Sequence, residues 1–193
     1  MIIINKLKGY DVVQLINERS FNTSPFLEKI LLKYIFKNNN KVFLLACGVD
    51  TVSINYAKEK KLRYSILSPY FENRGLKKEF KHTLKYLKSN YLVLGKFIRE
   101  KVHGIISSDL DYHIPYKNSK KYLGIIPNPI NTDKLKITNV NKKNKIWILH
   151  AVNSKNKIKK GNEFFEKALS LVEEKYKNKI KIVKTIDLPY SEH

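Results

Sequence analysis

The stretch DVVQLINERSFNTSPFLEKILLKYIFKNNNKVFLLA, residues 11–46, decides the fold class. DVVQLI (11–16) and KVFLLA (41–46) are short apolar runs rich in β-branched residues, as strands require. Between them, Ser24 stands as a helix N-cap and Pro25 at the first helical position. Phe26, Ile30, Leu31, Tyr34 and Ile35 then recur at helical spacing and predict a shared apolar face. Asn38, Asn39 and Asn40 form a polar loop back to the second strand. Strand, helix and strand in this order predict a parallel crossover unit.

The same alternation continues outward. Further strands are expected at YSIL (64–67), GIIS (104–107), LGII (123–126), KIWILH (145–150) and IKIVK (180–184). One helix is expected over GLKKEFKHTLKYLKS (75–89), with Leu76, Phe80, Leu84 and Leu87 on one side. Another is expected over 162–177, burying Phe165, Leu169, Val172 and Tyr176. The pattern predicts an α/β protein with a Rossmann-like parallel sheet covered by helices on both faces. Residues 130–144 have no apolar period, are rich in Asn and Lys, and follow Pro127 and Pro129, which marks a linker. The domains expected are 1–129, the linker 130–144, and 145–193 as the start of a second Rossmann-like unit. One strand, one helix and one strand cannot bury their own apolar surface well, so this second unit reads as incomplete.

Lys and Arg number 38 against 17 Asp and Glu, giving a net charge of +21, and 42% hydrophobic content suits a packed core. This charge favours partners that carry phosphate, although the accompanying abundance of Asn and Ile offers a compositional origin as well. The single Cys47 excludes an internal disulfide and a cysteine-based zinc site, and no apolar run reaches membrane-spanning length. A cytoplasmic protein is expected, in peripheral contact with the inner membrane face at most. Walker A, G-x-G-x-x-G and G-x-S-x-G patterns are all missing, and Asp111-Tyr112-His113 lacks metal-ligand spacing.

One segment stands out chemically. NSKNKIKKGNEFFEKAL (153–169) follows a strand and enters a helix, with Lys155, Lys157, Lys159 and Lys160 just before the helix start. Unpaired N–H groups and the helix dipole favour an anion there. The crevice beyond the carboxyl end of a strand is also where doubly wound sheets bind nucleotides. A solvated lysine-rich loop is the plainer reading of the same residues.

The ordered series LGIIPNPINTDKL (123–135), KIWILHAVNSKNKIKKGNEFFEKALSLVEEKY (145–176) and IKIVKTIDLPYSEH (180–193) resembles the middle of GT-B-fold glycosyltransferases of the family 4 type. Upstream, YDVVQLINE (10–18), VFLLACGVD (42–50) and GIISSDLDYHIPY (104–116) resemble strands and cleft-facing loops of that family's N-terminal, acceptor-side domain. The resemblance implies that Lys160, in the pair with Gly161, holds the diphosphate of a nucleotide-sugar donor. It implies the same for Lys155, near a position where the family usually has arginine. Two cations there would stabilise the leaving diphosphate without metal or other cofactor. Asp50 and His113 become candidates for the sugar or acceptor side; a helix cap for Asp50 and an ordinary loop role for His113 stand as alternatives. By the same resemblance the chain lacks the first strand of the N-terminal domain and the remainder of the donor domain.

The function implied is a retaining glycosyltransferase, or a fragment of one. It would transfer sugar from a nucleotide-diphosphate donor to a glycan or lipid-linked acceptor, as in surface polysaccharide biosynthesis. The lysines around 75–89 suit an anionic membrane carrying such an acceptor, or simply solvate a helix whose apolar side faces the core. A catalytically incomplete half-enzyme needing a complementing chain is the second reading. Nucleic-acid binding rests on net charge alone and ranks last, because the aromatic residues fall on expected core faces.

Overall fold

The structure is a computed structural model that describes residues 4–134 and 144–188. After a 3-10 turn at Ile4–Leu7, the chain runs through β1 (Val12–Ile16), α1 (Pro25–Asn38), β2 (Lys41–Ala46), α2 (Thr51–Lys58), α3 (Ser68–Glu72), α4 (Lys81–Leu84), α5 (Ser89–Lys101), β3 (Gly104–Ser107), α6 (Leu110–Tyr116) and β4 (Tyr122–Ile125). Then follow β5 (Ile146–Val152), α7 (Asn162–Tyr176) and β6 (Ile180–Ile186). The chain divides into two compact units, one of residues 1–65 and 74–130, the other of residues 66–73 and 131–193. Most of the expected linker, residues 135–143, and most of LPYSEH, residues 189–193, lie outside the described residues.

In the first unit all four strands are parallel, in the order β1-β2-β3-β4. Each step moves the same way across the sheet, so right-handed crossovers carry the helices to one face. Val42, Leu44 and Ala46 of β2 point to that face, with Leu15 and Ile105 beside them, against Leu32 and Ile35 of α1 and Leu94 and Ile98 of α5. Phe36 meets Phe97 edge-on at 5.8 Å and joins α1 to α5. Val52 of α2 and Tyr116 of α6 belong to the same core. Helices on both faces were the expectation; α1, α2, α5 and α6 instead all build this one core. On the other face Phe43, Leu45 and Ile106 are half-buried, while Val12, Ile16 and Leu123 are exposed.

Three further expectations change within residues 24–89. Residues 64–67 form no strand: Leu67 already stands at the start of α3, whose first turn contains Pro69. The helix expected over 75–89 is broken into a 3-10 turn (Arg74–Lys77), α4 and a second 3-10 turn (Lys85–Leu87). Its fully buried residues are Phe80, Thr83 and Tyr86, spaced by three, which matches 3-10 geometry rather than 3.6. Lysines at positions 77, 81 and 85 would repel at i,i+4 spacing in a continuous helix. Finally, α1 begins at Ser24 as expected, but its apolar face is turned: Phe26 and Ile30 are exposed, whereas Leu32, Ile35 and Glu28 are buried. Glu28 turns it, by accepting hydrogen bonds from the backbone N–H groups of Phe21 (2.7 Å) and Thr23 (3.0 Å) in the loop before the helix.

In the second unit β5 and β6 pair in parallel along seven residues, and α7 crosses between them. His150 packs on Phe165 with ring centroids 4.6 Å apart. Of β5, α7 and β6, only His150 and Val152 are buried. Phe165 and Tyr176 are exposed and Leu169 and Val172 half-buried, so the apolar side expected to be covered is not. Two strands and a helix give too little surface to enclose one another.

Candidate functional site

At the carboxyl ends of β1 and β2 the chain makes two turns that the first unit ties together. Asn17, with φ 68°, follows β1, and Gly48, with φ 66°, follows β2. The Asn17 amide donates to the carbonyls of Cys47 (2.5 Å) and Val49 (3.0 Å). This lock sets Glu18 against the start of α2. The Glu18 carboxylate accepts from the Thr51 N–H and hydroxyl, both at 2.8 Å, and from Arg99 Nη1 at 2.8 Å. Arg99 comes from α5, 81 residues along the chain, and its Nη1 also lies 2.9 Å from the Thr51 hydroxyl.

Asp50 caps α2 beside this cluster, its Oδ1 accepting from the Ser53 N–H at 2.7 Å. Burial pushes the Glu18 pKa up to about 7, and the neighbouring Asp50 charge adds to the rise against the opposing pull of Arg99 and Thr51. Burial raises the Asp50 pKa too, against the Ser53 hydrogen bonds. Among the described residues neither Asp50 Oδ2 nor the Tyr116 hydroxyl has a partner at good hydrogen-bond geometry, yet the hydroxyl is close enough to favour the Asp50 carboxylate. Tyr116 and Tyr112 are raised, first by burial and then by the Asp50 charge. With Glu18 and Asp50 both buried, the cluster is a polar clamp on two loops. Asp50→Ala is expected to lower stability by about 1 kcal/mol through the lost cap. A denaturation midpoint unchanged from wild type would remove the cap from the account.

His113 lies within α6, half-buried, with Nδ1 2.8 Å from the Tyr122 hydroxyl. That hydroxyl is in turn 2.6 Å from Ser107 Oγ. The histidine therefore ties α6 to β3 and β4.

In the second unit the basic loop takes a definite shape. Ser154–Asn156 forms a 3-10 turn, and Gly161, at φ 68°, reverses the backbone into α7. A left-handed position of this kind favours glycine. The N–H groups of Lys160, Gly161 and Asn162 donate to the carbonyls of Asn156, Ile158 and Lys157. Those three N–H groups are occupied and form no backbone nest.

A pocket of ≈ 450 Å³ opens at the carboxyl ends of β5 and β6; Lys155 and Asp187 line it with Ala151, Val152, Asn153 and Leu188. Lys160 and Gly161 are not among those lining residues. Asp187, which sequence reasoning missed, accepts from the Ser154 N–H (2.8 Å) and hydroxyl (2.5 Å). These bonds, with the charge of Lys155, hold its carboxyl below the usual range. Lys155 thus has an acidic neighbour where the sequence showed only cations. Among the described residues, no group of three His, Cys, Asp or Glu side chains could hold a metal ion, and no helix is long and apolar enough to cross a membrane. Compared with known proteins, the chain matches no family model, no curated protein and no solved structure.

Proposed function

We propose that the protein acts on a nucleotide-diphosphate sugar as a retaining glycosyltransferase of the GT-B kind, passing the sugar to a glycan or lipid-linked acceptor. The observation that carries this reading is the pocket beyond β5 and β6, where a strand–loop–helix turn brings Lys155 to the carboxyl edge of a parallel pair. Nucleotides bind at such edges. Lys155 would neutralise charge on the leaving diphosphate as the sugar–phosphate bond breaks. Lys160 and Gly161 shape the loop from outside the pocket.

Calorimetric titration with nucleoside diphosphates tests the assignment. Lys155→Ala is expected to weaken binding roughly tenfold, the loss of one charge-assisted contact, and Lys160→Ala less. Absence of saturable binding, or an affinity indifferent to Lys155, would sink the reading.

A specific observation also favours a half-enzyme completed by another chain: Leu171 is 68% exposed and Ile146 also 68%, in a unit whose long helix α7 has no buried residue. Sugar transfer by the purified chain without a partner would eliminate this second reading.

A further inference from the structure

The loop after β1 and the segment before α5 enclose a cleft of ≈ 700 Å³ in the first unit. Arg19, Lys77, Lys81, His82, Lys85 and Lys88 line it, and among the described residues no Asp or Glu does. None of these cations forms an ion pair with a carboxylate among the described residues. We infer that this cleft is a binding site for a ligand carrying a diphosphate group.

Two of the cations, Arg19 and Lys85, are held in place before any anion arrives. Arg19 donates through Nε (3.2 Å) and Nη2 (2.8 Å) to the Thr23 carbonyl, and its guanidinium carbon lies 5.8 Å from the centre of the Tyr91 ring. Lys85 Nζ sits 5.5 Å from the Tyr86 ring and 5.8 Å from the Tyr91 ring. Two cations share one aromatic wall, which lowers the cost of ordering them. Burial first, and then the charge of Arg19, depress the Lys85 pKa. An incoming anion would relieve the repulsion between Arg19 and Lys85.

The backbone adds to this field. Ser24 and Pro25 of the cleft wall start the 14-residue α1, and Lys88 and Asn90 start the 13-residue α5. Both positive helix ends therefore border the same space. The five Arg and Lys side chains exceed the charge of one phosphate ester, at most about −2, and suit the larger charge of a diphosphate better. Tyr91 and Leu84 offer an apolar wall to whatever group the diphosphate carries. The volume falls in the range of small-molecule sites, about 300–1,000 Å³. The sequence pattern concealed the site because its lysines read as the solvated side of one helix, whereas the broken backbone folds them around a concavity.

A soluble diphosphate and the diphosphate head of a membrane lipid share this chemistry. The test uses the whole chain at about 150 mM salt, where weak surface attraction is screened. Inorganic pyrophosphate is titrated against wild type, the double variant Lys81→Ala/Lys85→Ala, and Lys155→Ala. Saturable binding weakened at least tenfold in the double variant and unaffected by Lys155→Ala is expected. No saturable binding, or a loss confined to Lys155→Ala, would overturn the inference while leaving the donor pocket standing.

Flotation with neutral vesicles doped with a polyprenyl diphosphate then separates the sources. Capture that depends on Lys81 and Lys85 supports a lipid-borne ligand, and pyrophosphate binding without capture supports a soluble one. Equal capture by vesicles doped with a monoanionic phospholipid, or stronger binding to duplex DNA than to pyrophosphate, marks an unspecific basic surface and overturns the site.

Discussion

Gly95→Ala is expected to destabilise the first unit by about 3 kcal/mol, from overpacking together with disruption of a buried charged cluster. In an ordinary exposed helix interior the same change stabilises by roughly 0.5–1 kcal/mol, so the sign itself is diagnostic. Gly95 lies in the middle of α5 and faces the Glu18 clamp. A Cβ built there would stand 2.4 Å from the Thr51 hydroxyl, 2.5 Å from Glu18 Oε1 and 2.9 Å from Arg99 Nη1. Arg99 Nη1 ends a long side chain and can shift, but the other two cannot: Glu18 is buried and held by three hydrogen bonds, and Thr51 belongs to the first turn of α2. Relief would require α5 to move off the sheet, exposing Leu94 and Ile98, or the clamp to open and leave a buried carboxylate without partners. Urea denaturation reads the effect. A midpoint at or above wild type would show that the clamp has room the geometry denies it.

The same glycine explains where the sequence was readable. β2 and β3 stand in KVFLLA and GIIS because parallel strands are apolar over consecutive residues, a local signal. The start of α1 is equally local, in Ser24-Pro25. SNYLVLGKFIREK, by contrast, carries a glycine at its centre, which argues against a helix; α5 forms because that glycine makes room for side chains more than forty residues distant. Glu28 misleads in the same way, since its buried place depends on a loop that no periodicity reveals. At the candidate sites the limit is similar. The residues near Lys155 and Gly161 were visible as a strand–loop–helix turn, but Asp187 enters the pocket from β6, more than thirty residues away. The basic cleft needed the break in 75–89, which follows from Phe80, Thr83 and Tyr86 being buried together.

Between pH 5 and 7.5 the wild-type protein is expected to lose stability as pH rises, and Glu18→Gln is expected to remove most of that slope. Glu18 titrates at about 7 in the folded protein against 4.5 for an unperturbed glutamate. Across that window the folded state holds a proton that the unfolded chain has released. Stability then falls with rising pH, by about 3 kcal/mol in total at 1.36 kcal/mol per pKa unit. Asp50 is raised as well and acts in the same direction, so a shallow slope survives in the variant. The acids held low at the surface, Glu59, Glu166 and Asp187, act in the opposite sense, losing stability as pH falls. Their pKa values lie below the ordinary carboxylate range, so their window is more acidic than that of Glu18. Glutamine resembles the protonated glutamic acid in shape. Its single carbonyl oxygen can stand at the Oε1 place and accept from the Thr51 hydroxyl and from Arg99, which is 27% exposed, while its NH2 group stands opposite the Thr51 N–H at a cost that does not vary with pH. The variant should therefore gain on wild type as pH rises from 5 to 8, starting from a level lowered by that fixed cost. Urea midpoints measured at pH 5, 6, 7 and 8 decide the matter: parallel pH profiles for the two proteins would show that Glu18 is ionised throughout and that Arg99 outweighs its burial.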